Sequence, residues 1–194
     1  MLVTRNPTAN QTPDPVVGGD AIAGITNTGH PSAIAFVIRD TNGTTSALKS
    51  AIWTALQNVS GQVKSINLRF SWNGALSVVA NTLDVGDQSD VTVGFVVGYS
   101  VNGGGAWNNQ VVQTLIASAA DGSIDSDGAS PSGSETISIP ITTPIDQIQI
   151  RDSIFSEVTI SEVSAADGSG SANLEITDIR VEIVLADGGV MCGM

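Results

Sequence analysis

From Ser32 onward the chain reads in twos. In "VKSINLRFSW" (63–72), Ile66, Leu68, Phe70 and Trp72 alternate with Asn67, Arg69 and Ser71. That is the period of a strand with one buried face. "DVTVGFVVGYS" (90–100) repeats it with Val91, Val93, Phe95 and Val97. "SAIAFVIRD" (32–40), "NQVVQTLIAS" (109–118), "ETISIPI" (135–141), "IDQIQIR" (145–151) and "SEVTISEV" (156–163) are shorter runs of the same kind. "ANLEITDIRVEIVL" (172–185) alternates for its whole length but slips between Ile176 and Ile179, which predicts a bulge at Thr177-Asp178. "DTNGTT", "LDVGDQSD", "DGSIDSDGASPSGS" and "AADGSGS" read as the turns between strands.

One segment fits two periods. In "ALKSAIWTALQNVSG", Leu48, Ile52, Ala55, Leu56 and Val59 follow helical spacing, whereas Ala51, Trp53 and Ala55 follow strand spacing. The all-β surroundings favour a strand over 46–58, because one isolated helix fits a sandwich poorly. Seven or eight short strands separated by turns predict an all-β, antiparallel β-sandwich with little helix. No internal repeat is visible, which argues against a propeller.

Residues 1–32 differ in texture. Four of the seven prolines lie there and no long apolar run does, so the segment reads as an extended N-terminal arm before a domain spanning 33–186, with a tail over 187–194. An arm of this composition is expected to contact another chain, by strand addition to an open sheet edge of a neighbouring subunit or by lying in a groove between subunits.

The chain has 194 residues, enough to bury a core without disulfides. Its one cysteine, Cys192, cannot make an internal disulfide. The start turns polar at once and no 18-residue apolar run follows, so neither a leader peptide nor a membrane span is expected. Seven Lys and Arg against 19 Asp and Glu give a net charge of -12, which would repel phosphate backbones and argues against direct nucleic-acid binding.

The densest motif is "YSVNGGGAWNNQ" (99–110). Ser100, Asn102, Gly104 and Trp107 fall in an order that resembles the Asp-box of sialidases and related propellers, with Asn102 where Asp is usual and Ala106 where Thr is common. Each role in that motif is structural: a polar cap on turn amides, glycines at positive φ, and an indole packed back on the sheet. Gly103 to Gly105 are accordingly expected to form a tight hairpin turn. The five arginines are scattered, without the cluster that a sialidase needs for a carboxylate.

Over residues 33–185 the texture resembles jelly-roll or discoidin-like β-sandwich domains of phage virion proteins and of carbohydrate-binding modules. The "YS-x-N-GG-x-x-W" hairpin, "IDQIQIRD" and "SANLEITDIRVEIVL" are its most recognisable pieces.

Candidate chemistry is sparse. His30, the only histidine, lies beside a proline between arm and domain, and no nucleophile elbow is present. One His and one Cys cannot supply a zinc site. Glu157 with Glu162, or Glu175 with Glu182, could pair as glycosidase carboxylates, but Glu175 alternates with apolar Ile176 and is expected in solvent. Calcium is the better fit. Asp121, Asp125 and Asp127, or Asp84, Asp87 and Asp90, offer hard oxygens in loops, although turn chemistry alone also explains them. Trp72 is expected in the core and Trp107 over its own hairpin.

Together these observations predict a non-enzymatic structural protein with no cofactor, calcium being the one candidate ion. The resemblance implies a tailed-phage virion component, either a capsid decoration (cement) protein or a tail-associated accessory, made in the host cytoplasm and partnered by other virion subunits and by itself. No membrane or nucleic-acid partner is expected. The alternative is a carbohydrate-binding or receptor-binding module with a surface glycan as ligand.

Overall fold

The computed structural model describes residues 2–12, 20–24, 32–39, 42–56, 62–102, 106–143, 145 and 147–193, with side chains at 38–39, 42–48, 62–102, 106–143, 145, 147–190 and 192. Among them there are twelve strands and no helix. They are β1 (Leu2–Thr12), β2 (Asp20–Gly24), β3 (Ser32–Arg39), β4 (Gly43–Leu56), β5 (Val63–Thr82), β6 (Gln88–Val101), β7 (Asn108–Ala120), β8 (Ile124–Ala129), β9 (Ser132–Pro140), β10 (Gln147–Ser161), β11 (Ala166–Leu185) and β12 (Val190–Gly193).

The strands form two antiparallel sheets. The first runs β1-β4-β10-β6-β7. The second runs β2-β3-β11-β5-β8, with β9 following β8 along the same side of β5 and β12 beside β11. From β3 onward six of the nine connections cross between the sheets. Counting β8 and β9 as one interrupted edge strand, this is the eight-stranded jelly-roll order. The fold is the predicted antiparallel β-sandwich, and the ambiguous 46–58 segment lies largely in β4.

The alternation sets the core. Ile66, Leu68, Phe70 and Trp72 of β5, Val91, Val93, Phe95 and Val97 of β6, Ile150, Ile154 and Val158 of β10, and Leu174 and Ile176 of β11 are all buried between the sheets. Trp72 meets Phe95 edge-on, with ring centroids 5.6 Å apart, as expected of a core residue. The predicted bulge is present. Between Thr177 and Arg180, β11 advances three residues while β5 moves two, and Asp178 takes φ 52°. The extra residue switches parity, so even-numbered residues face inward before it, and Val181 and Ile183 after it.

Several stretches read as turns are strand. "AADGSGS" opens β11, because Gly168 and Gly170 face the opposite sheet where it comes closest. A Cβ at Gly170 would lie 2.6 Å from Val93 Cγ1 and 2.7 Å from Ser156 Oγ. "DGSIDSDGASPSGS" contains all of β8 and the start of β9. The side chains of β8 are almost all exposed, so no apolar face marked it in the sequence. Pro131 interrupts this edge, and its carbonyl accepts the Gly74 N–H at 2.8 Å. The runs at 145–151 and 156–163 are one strand, β10, whose inward pattern passes through buried Asp152.

The ends are also strand. The 187–194 tail folds back as β12 on Val181–Val184 of β11, through a turn with Gly188 at φ 88° and Gly189 N–H donating to Asp187 Oδ1 at 3.0 Å. In the arm, β1 pairs with β4 from Leu2↔Leu56 to Thr12↔Ser46, and β2 pairs with β3. The arm was expected to contact a neighbouring chain; β1 and β2 instead cover strand edges of their own chain. Pro7 is accommodated because β1 is an edge strand.

Candidate functional site: a stapled loop cluster

Asn42 and three loops, 83–87, 121–123 and 162–165, meet at the end of the sandwich where β3, β5, β7 and β10 finish. Their backbones carry polar groups that no ladder satisfies, and one side chain satisfies many of them. Asp87 is 1% exposed. Its Oδ1 accepts the N–H groups of Val163 at 2.7 Å and Ser164 at 3.0 Å. Its Oδ2 accepts the Ser164 hydroxyl at 2.9 Å and the N–H groups of Asp84 at 3.1 Å and Ala165 at 3.3 Å. These donors, the Ser164 and Val163 amides foremost, hold the carboxyl well below the usual carboxylate range against the opposing effect of burial.

The other loops are tied in around it. The Asp87 carbonyl accepts the Asp121 N–H at 3.1 Å, and Asp121 Oδ1 accepts the Gly86 N–H at 2.8 Å. Thr82 Oγ1 accepts from the amides of Gly122 and Ser123. Asn42 closes the fourth side, donating to the Glu162 carbonyl and accepting the Glu162 N–H at 2.6 Å. Arg39, buried at the end of β3, donates to Thr45 Oγ1 and the Asn42 carbonyl.

This network presents apolar side chains to solvent. Leu83 is 64% exposed, Val85 82% and Val163 79%. Val163 Cγ2 would lie 3.2 Å from a Cβ on Gly86, so the two loop tips touch. Beside them Asn81, Leu83, Ala165, Ala166 and Asp167 line a shallow cleft of about 180 Å³, where Asn81 Nδ2 donates to Asp167 Oδ2 at 3.2 Å.

Five of the six expected calcium ligands are engaged in hydrogen bonds to amides or hydroxyls of neighbouring residues. Asp121 holds Gly86, Asp125 Oδ2 accepts the Ser118 N–H at 2.9 Å, and Asp127 Oδ1 accepts the Gly128 N–H at 2.7 Å. Of the second set, Asp87 staples the loops and Asp90 accepts from Ser118 Oγ and Gln88 Nε2. Among the described residues no three His, Cys, Asp or Glu side chains form a group fit to hold a metal ion.

The "YSVNGGGAWNNQ" motif lies at the opposite end, joining β6 to β7. Gly103 to Gly105, Gly104 of the motif included, lie outside the described residues, as does His30. Their flanks pair as an antiparallel hairpin, with Tyr99 opposite Asn108. Ser100 is buried. Asn102 takes φ 58° and donates its N–H to the Gln147 carbonyl at 3.0 Å. Trp107 reaches past its own hairpin to β10, where the Arg151 guanidinium carbon stands 4.6 Å from the ring centroid.

Of the carboxylate pairs, Glu162 Oε2 accepts the Ala166 N–H at 3.3 Å, and Glu157 and Glu182 are exposed on strands. Glu175 is half-buried rather than fully in solvent. Cys192 is an exposed strand residue. Asp87 was legible only as one acid among three in "DVGDQSD", because its partners lie some 76 residues away. No protein-family model and no curated protein matches the chain.

Proposed function

We propose that this chain is a structural protein of a tailed-phage virion, a capsid decoration or tail-associated accessory protein, that attaches through the stapled loop cluster. The observation that carries this reading is the pairing of high exposure with rigid support at Leu83, Val85 and Val163. Apolar side chains on loop tips are costly to leave in water, and burying each contributes about 1.5–3 kcal/mol. A carboxylate with five donors fixes these tips before contact, so little ordering entropy is lost on docking. The jelly-roll order supports the same reading by analogy, since it recurs in viral shells.

The test is incorporation. The chain, or its Val85→Asp/Val163→Asp variant, is mixed with particles lacking it and sedimented. Co-sedimentation of the unmodified chain and loss of the variant is the expected result; an unmodified chain left in the supernatant overturns the proposal. A second reading, a carbohydrate-binding module, is favoured by partly exposed Trp107 beside exposed Asn108, Asn109 and Gln110. Binding to a glycan array that Trp107→Ala abolishes would select it.

A further inference from the structure

The outer face of the first sheet has a second character. Along β10 its outward residues are Gln149, Arg151, Ser153, Phe155, Glu157 and Thr159. At the level of Phe155 stand Leu48 on β4 and Gly94 on β6, and one level away Val96 pairs with Val112 on β7. Leu48 is 45% exposed, Val112 58% and Ile116 62%. The Phe155 ring covers Gly94, where a Cβ would come within 2.6 Å of the ring.

Charge is placed asymmetrically on this face. Arg151 lies towards the "YSVNGGGAWNNQ" end, with the Trp107 ring against it and its buried Nε without a hydrogen bond. Glu157, six residues along the same row, is exposed towards the stapled loops, with Asp90 one level beyond.

We infer that this face is a two-fold interface between two copies of the chain, independent of what the stapled loops bind. A two-fold axis lying in the face, across β10 at the level of Ile154, reverses the strand direction. It sets Arg151 of each copy opposite Glu157 of the other, and Phe155 opposite Ser153. Asp90 then faces the neutral level of Gln149. The other in-plane axis, along the strands, would stack Glu157 on Glu157 and Arg151 on Arg151, so charge selects the first. Size is adequate. Five strands spaced by about 4.8 Å, ten residues long at about 3.3 Å each, make a face of about 800 Å², one partner's share of a standard interface.

The test is mass in solution by sedimentation equilibrium, with circular dichroism and melting temperature as fold controls. A dimer of twice 19.8 kDa is expected. Ile116→Lys, on an exposed edge strand, should weaken it about 10-fold or more, as should Glu157→Arg. Adding Arg151→Glu to Glu157→Arg should restore dimerisation. A monomer at about 100 μM, well above the Kd of a standard-size interface, overturns the inference. So does a dimer indifferent to Ile116→Lys, or a charge-swapped double variant that stays monomeric while folded.

Discussion

Gly170→Ala is a one-carbon test of how closely the two sheets approach. In most strands this change stabilises, by about 0.4–1 kcal/mol, because it restricts the unfolded chain. Here the new Cβ would stand 2.6 Å from Val93 Cγ1, 2.7 Å from Ser156 Oγ and 2.9 Å from Val91 Cγ1. Carbon contacts are comfortable near about 3.5–4.0 Å, so the sheets or three side chains must yield by close to 1 Å. None yields freely. Val91, Val93 and Ser156 are each 0% exposed, and Ser156 Oγ donates to the Gly170 carbonyl at 2.8 Å. Overpacking of this kind costs about 1–3 kcal/mol, and straining a buried hydrogen bond adds to it, so a net loss of about 2 kcal/mol is expected. In a chain of this size that lowers Tm by roughly 4–8 °C.

Urea unfolding of wild type, Gly170→Ala, Val93→Ala and the double variant measures it. Because the alanine at 170 fills space that Val93→Ala vacates, the double variant should be more stable than the sum of the singles by about 0.5–3 kcal/mol. Gly128→Ala is the control, since its nearest neighbour to a new Cβ is the Leu76 carbonyl oxygen at 3.7 Å on an exposed edge. Equal, near-neutral effects at 128 and 170 would refute the close approach of the sheets.

The Asp87 staple predicts an acid dependence: its carboxyl is held below the usual range, so its stabilisation is complete above that range and is lost progressively as pH falls below about 5. Asp87→Asn should therefore melt well below wild type at neutral pH, with the gap closing on acidification; a gap constant with pH would argue against the carboxylate as the source. Deleting residues 1–12 removes β1 and bares the β4 edge over its 11 paired residues, so the truncated chain should retain its β circular dichroism and aggregate on warming. Light scattering equal to that of the full chain would show that the edge is protected in another way.

Strands with an apolar inner row were legible in the sequence. β5 and β6 announced themselves through Ile66–Trp72 and Val91–Val97, and the slip at Thr177-Asp178 was visible because a parity switch leaves a mark on the hydrophobic pattern. Gly168 and Gly170 were misread for a physical reason. Glycine at a turn and glycine under a facing strand look alike until the opposite sheet is known. β8 escaped notice because an edge strand with both faces wet needs no alternation. The loop staple was hidden differently. Asp87 is unremarkable in its own loop, and only the folded chain brings Ser164 to it.

The strand order has a consequence for how the molecule is made. β10 is the central strand of the first sheet, between β4 and β6, and β11 holds β3 and β5 together in the second. Both central strands come late in the chain, after residue 146. Until they emerge from the ribosome, β3, β4, β5 and β6 have open flanks where their main partners belong, so neither sheet can close. The growing polypeptide has no folded half. It must be kept from pairing with its neighbours through most of its synthesis, and then acquires both sheets together in a late, non-local and therefore slow step.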